Sequence, residues 1–199
     1  MIWDLSHEVC ISGRAERDAQ CGLASQLQLI TQKVRILIAG VGNVLRGDDG
    51  FGVEVAQALT RSRTLPDGVS VFEAGIAGIP LVQELMSGYD ALIIADAVER
   101  SGAPGTVYVI EPDIADPSLL DPAALHSSLA DAHYTEPSKV LVLAKALGVL
   151  PPEVFIIGCQ PGGYDELGAE LSAPVKDAVR VAVRQIESLV ESLNQRERA

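Results

Sequence analysis

The chain has 199 residues, the size of one globular domain or of one domain with a short appendage, and a two-domain enzyme is not expected. Hydrophobic residues make up 48% and charged residues 21%, which gives enough apolar surface for a full core and excludes wholesale disorder. Lys and Arg number 15 against 27 Asp and Glu, and the net charge of −12 leaves nucleic acid or an anionic membrane surface little to hold.

Residues 1–32 mix charges, Gly, Ser and Gln without a sustained period of 2 or 3.6, so they are expected to be a loosely ordered N-terminal extension, either a leader or an overlong start. The opening MIWDLSHEVC carries acids where a signal peptide carries Lys or Arg, and no apolar run reaches the roughly 18 residues needed to cross a bilayer. Cys10, Cys21 and Cys159 form an odd set without CxxC spacing, which fits a reducing compartment. The expected location is the cytoplasm, with no membrane partner.

A single domain is expected over 33–199. VRILIAG, from Val34, reads as a strand buried on both faces; the Gly-rich loop GVGNVLRGDDG comes next, and FGVEVAQALTRSR has near-helical apolar spacing. Val69 to Gly75 reads as a second strand, IPLVQELMSG as a helix closed by Gly88 with Met86 in the core, and Ala91 to Val98 as a third strand. GTVYVIEP alternates like a half-exposed strand near a sheet edge, stopped by Pro112. A long connection over 113–132 leads to TEPSKVLVLAKALG, a helix with Thr135 as N-cap and Gly148 at its end. EVFIIG is a further buried strand, and the amphipathic stretch from Ala173 is a long helix covering one sheet face. Strands alternating with helices predict a doubly wound, mostly parallel sheet, whose ligands bind beyond the carboxyl ends of the strands.

Those ends gather acids. Glycine after a first strand invites a dinucleotide reading, but the G-x-G-x-x-G fingerprint is broken: Leu45 stands at the third glycine position, and Asp48 and Asp49 would face the pyrophosphate. Only Glu73 is placed to mimic a ribose-binding acid. Acids that repel phosphate suit a cation, and Asp49 and Asp96 share one sheet edge if their strands are neighbours. With His133, before the next helix, they would make two carboxylates and an imidazole, a donor set for Ni, Zn, Co or Mn. An ordinary structural account competes: Asp48 and Asp49 as turn and capping residues, Asp96 in a strand-end turn, His133 in solvent. Asn43 is expected to order the loop, Asp48 to cap the helix starting at Gly50, and Cys159 to be a small buried thiol rather than a papain-like nucleophile.

ILIAGVGNVLRGDDGFGVEVAQAL resembles the opening signature of the [NiFe]-hydrogenase maturation proteases, G-x-G-N-x-L-x-x-D-[DE]-G-x-G. The likeness continues through EAGIAGIPLVQELMSGYDALIIADAV, AHYTEPSKVLVLAKALG, VFIIGCQP and ELSAPVKDAV, covering about residues 34–190. The resemblance implies a three-layer α/β/α sandwich with a mostly parallel twisted sheet, phosphorylase/hydrolase-like. It also implies an aspartic-type endopeptidase, directed by metal, that removes the C-terminal extension of a hydrogenase large-subunit precursor after nickel insertion. The nickel ion is carried by the precursor, which is the expected partner, and the enzyme is expected to be a monomer. The family's metal-recognition positions fall on Asp49, Asp96 and His133, the two acids also being the catalytic candidates. The family often has Glu where Asp49 stands, so this carboxylate reaches one methylene less far. His126 is the rival third donor, but His133 keeps the family's spacing into the helix; His7 lies outside the likeness. Two other functions stay open: a nickel-recognising checkpoint that does not cut, and an NAD-dependent oxidoreductase with a degenerate loop.

Overall fold

The computed structural model describes residues 33–62, 65–76, 78–119, 137–163, 168 and 170–196. The expectations for residues 1–32, His126, His133 and Thr135 lie outside the described residues.

Strand β1 (Ile36–Val41) is buried at all six positions, which explains why its sequence is a continuous apolar run rather than an alternating one. It leads through a 3₁₀ turn (Gly47–Gly50) into helix α1 (Phe51–Ser62). Strand β2 (Val69–Gly75), helix α2 (Gly78–Leu85) and strand β3 (Ala91–Ala97) come next. Beyond them lie β4 (Val107–Ile110), α3 (Pro137–Ala146), β5 (Glu153–Cys159) and α4 (Ala173–Arg196).

The strands form one sheet in the order β2-β1-β3-β5-β4, with β4 antiparallel to β5 and the other pairings parallel. Strand β4 takes the edge, as its half-exposed alternation predicts. Its direction reflects residues 98–106, which supply no helix between β3 and β4 for a parallel crossover.

Two cores sandwich the sheet. Ile36, Ile38, Ile93 and Ile157 pack with Phe51, Val55 and Leu59 of α1 and with Val175, Ala178, Ala182, Ile186, Val190 and Leu193 of α4. On the other face Leu37, Ala39, Leu92 and Ile94 meet Leu81, Val82 and Leu85 of α2 and Val140, Leu141 and Ala144 of α3. The three-layer α/β/α sandwich is therefore present. Each fully buried Leu or Ile in these stripes contributes about 2 kcal/mol of transfer free energy, and this burial holds the helices to the sheet.

Gly88 closes α2 as expected: at φ +78° it adopts the left-handed conformation that glycine tolerates, and its N–H donates to the Leu85 carbonyl at 3.0 Å. Met86 is not a core residue. It is 60% exposed, because α2 ends at Leu85 and the turn that returns the Met86 N–H to the Gln83 carbonyl carries its side chain off the buried face.

The chain runs from β1 outward to β2 and then crosses back to place β3 on the other side of β1. That reversal puts the switch point of the sheet, where ligands of such folds bind, beyond the carboxyl ends of β1 and β3.

Candidate active site

The loop after β1 is built by close backbone approaches. A Cβ on Gly40 would run into the Gly52 carbonyl and the Ala56 Cβ, and one on Gly52 would run into the carbonyls of Val41 and Ala95. The glycines thus let the first turn of α1 rest directly on the ends of β1 and β3. Gly42, at φ +133°, passes over the Asp49 carbonyl where no Cβ fits. Asn43 orders the middle of the loop: its side-chain oxygen accepts from the Leu45 N–H at 3.0 Å, and its carbonyl accepts from the Arg46 N–H at 3.0 Å.

These contacts place Asp49, partly exposed, where its charge acts on Asp96. Strands β1 and β3 are neighbours, as the shared-edge reading requires, and the 3₁₀ turn packs on β3. Asp96 is only 9% exposed and sits opposite Gly158 of β5. Burial pushes its carboxyl up to about 8; the negative charge of Asp49 adds to this, while a hydrogen bond with the Ala97 backbone pulls the other way. In the metal-free protein burial therefore favours the protonated form of the Asp96 carboxyl at neutral pH. The structure brings these two predicted residues together. His133 lies outside the described residues, and among the described residues no three His, Cys, Asp or Glu side chains group to hold a metal.

Asp48 differs from expectation. Its carboxylate does not cap the helix it precedes but reaches across to the loop between β5 and α4. There Oδ2 accepts from the Gly162 N–H at 2.7 Å and the Ser172 hydroxyl at 2.9 Å, and Oδ1 accepts from the Ser172 N–H at 2.6 Å. It caps α4 instead, at the end where the helix dipole favours negative charge.

Gln160, to which no sequence motif assigns a role, is 3% exposed and fully used. Its side-chain oxygen accepts from the N–H groups of Arg100 at 2.7 Å and Gly102 at 3.2 Å, and its amide nitrogen donates to Glu99 at 2.7 Å and to the Pro161 carbonyl at 3.3 Å. It stitches the loop after β3 to the loop after β5. Its partners on the β3 side lie about sixty residues away, and no local pattern marks them.

Cys159 is wholly buried, and burial together with the nearby Asp48 charge pushes its thiol up to about 11. A thiol so held is not a nucleophile at neutral pH. The dinucleotide reading also loses its acidic support, since Glu73 accepts a hydrogen bond from Gln57 at 3.2 Å.

A family model described as hydrogenase maturation protease matches residues 53–189. The chain belongs to the hydrogenase maturation protease family. The hydrogenase 2 maturation protease of Escherichia coli K12 is 31% identical over 155 residues, covering 77% of this chain and 88% of its own. The hydrogenase expression/formation protein HupD of Rhizobium leguminosarum bv. viciae is 34% identical over 149 residues, 75% of this chain and 70% of its own. Among solved structures, the E. coli hydrogenase maturating endopeptidase HybD matches with a TM-score of 0.63 and 28% identity, over 80% of this chain and 93% of that one. A hydrogenase 2 maturation peptidase from Thaumarchaeota archaeon SCGC_AB-539-E09 is 38% identical with a TM-score of 0.54, over 78% and 97% of the two chains. This hydrogenase maturation protease is accordingly a hydrolase, an endopeptidase of hydrogenase maturation. Among its described residues no helix is long and apolar enough to cross a membrane.

Proposed function

We propose that the protein removes the C-terminal extension of a [NiFe]-hydrogenase large-subunit precursor once nickel has been inserted, acting in the cytoplasm as an aspartic-type, metal-directed endopeptidase and as a monomer. The observation that carries this reading is the Asp49–Asp96 pair: two carboxyls at the switch point of the sheet, one partly open and one buried and holding its proton up to about pH 8. Such a pair supplies a base and an acid at one edge of the sheet. Asp49, the more exposed, takes a proton from the attacking water, and Asp96 keeps the second carboxyl beside it.

Nickel held by the precursor is part of the substrate; it supplies Lewis acidity and marks the precursor as loaded. His133 is the third donor in this reading, and two carboxylates with an imidazole suit such a borderline divalent ion. A protein substrate also fits the rim. Val44, Leu45 and Ile76 are 53%, 62% and 51% exposed in the loops after β1 and β2, an apolar surface on the same side as the two acids.

The test is the intact mass of the precursor from the same cell after incubation with this protein, in nickel-loaded and nickel-free forms. The expected result is a single C-terminal fragment from the loaded form only, lost with Asp49→Asn, Asp96→Asn and His133→Ala. Binding of the loaded precursor without any shortening would instead make the protein a non-catalytic checkpoint.

A further inference from the structure

The one buried carboxylate of the signature loop that the proposed chemistry does not use is Asp48, 2% exposed and adjacent in the chain to Asp49. It holds Gly162 and Ser172, residues 114 and 124 positions downstream, through three hydrogen bonds of 2.6–2.9 Å. Ser172 also begins α4, since its carbonyl accepts from the Lys176 N–H at 2.8 Å. The anchor is thus fixed to the longest helix of the fold, which is itself packed along the sheet.

Asp48 and Asp49 lie in the same four-residue 3₁₀ turn, where consecutive side chains point about 120° apart. Tying down Asp48 on one side of this turn therefore sets the rotation at which Asp49 leaves the other. The turn is also held by backbone contacts: the Asp49 N–H donates to the Arg46 carbonyl at 3.2 Å, the Asp48 carbonyl accepts from the Phe51 N–H, and the Asp49 carbonyl lies beneath Gly42. These set the backbone of the turn, and the Asp48 carboxylate adds a side-chain anchor to them.

We infer that Asp48 is a positioning residue for the hydrolysis: its carboxylate, clamped by Gly162 and Ser172, fixes the turn so that Asp49 faces Asp96. This rests on the proposed protease reading. A displacement of about 1 Å at a reacting group can cost on the order of 100-fold in rate, so the clamp matters to turnover.

The experiment compares wild type, Asp48→Asn, Ser172→Ala and Ser172→Thr in two assays run well below each variant's unfolding temperature. Asp48→Asn keeps the shape of the side chain and replaces an acceptor oxygen with a donor, so it breaks the clamp; Ser172→Ala removes one bond and is the milder variant should the first fail to fold. In precursor processing, kcat is expected to fall about 10- to 100-fold for Asp48→Asn and by less for Ser172→Ala, with KM rising alongside because Asp49 also meets the precursor's nickel, and with Ser172→Thr keeping the wild-type rate. In the second assay, carbon-13 labelling of the Asp carboxyls at one fixed pH is expected to show the Asp49 resonance shifted in Asp48→Asn and Ser172→Ala and restored in Ser172→Thr. Folded variants that melt earlier yet keep the wild-type kcat and an unmoved Asp49 resonance would overturn the inference, leaving Asp48 as a staple for α4 alone. If the wild type processes no precursor but the Asp49 resonance still responds, the protease reading falls and the role in hydrolysis with it, while the mechanical coupling of Asp48 to Asp49 stands.

Discussion

Burial holds the Asp96 carboxyl in its protonated form, and the negative charge of Asp49 bears on it in the same direction. The folded metal-free protein holds the Asp96 proton up to about pH 8, whereas an unfolded chain releases it near the ordinary value of 3.8. Between those values the folded state binds more protons than the unfolded one, and stability falls as pH rises, by up to about 1.4 kcal/mol per pH unit. Asp96→Asn removes the titration. The variant is expected to abolish processing and to stabilise the metal-free protein, with a gain in urea unfolding that is small at pH 5 and grows toward pH 8. An equal gain at both pH values would show that Asp96 does not titrate in this window.

The glycines of the signature are expected to act through space, not through catalysis. Gly52→Ala pushes a methyl group into the backbone carbonyls of Val41 and Ala95, neither of which can swing aside. A loss of at least about 2 kcal/mol is expected in thermal or urea unfolding. Gly163→Ala, where no non-neighbouring atom of the described residues lies within 4 Å of the added carbon, is the control and should stay within about 0.5 kcal/mol of wild type.

Cys159 should be dispensable for the chemistry. With its thiol pushed up to about 11 and no exposed surface, it is expected to resist alkylation at pH 7.5 until the protein unfolds. Cys159→Ala should leave the processing rate within about twofold, at a stability cost of about 1 kcal/mol for the small void. A processing rate that collapses in a well-folded Cys159→Ala would revive a thiol mechanism.

Leu45→Asp tests the rim. Because Leu45 is largely exposed, the substitution should cost about 0.5 kcal/mol of stability or less. If the precursor docks over this surface, KM should rise on the order of tenfold while kcat holds, as for loss of an apolar anchor. An unchanged KM would place the docking surface elsewhere.

How much of the fold and the site is legible in the chain depends on how local its cause is. β1 reads correctly because burial on both faces demands an unbroken apolar run, and the Gly40–Gly52 spacing carries the packing of α1 on the sheet. The meeting of Asp49 and Asp96 is legible through topology, since strand-helix-strand rules make β1 and β3 neighbours. The roles of Asp48 and Gln160 are hidden for the opposite reason: their partners lie far along the chain, and a carboxylate beside a helix start looks like that helix's own cap. Met86 misleads because an apolar residue one step beyond a helix end keeps its composition but loses its face. The antiparallel direction of β4 is implicit in the short connection before it.

The amide of Gln160 ties the loop after β3 to the loop after β5 with both its oxygen and its nitrogen engaged. The described parts of these two loops are thereby held in register. On the proposed reading, adaptation at this edge falls to the precursor, and a tail able to change its shape fits better than a stiff one.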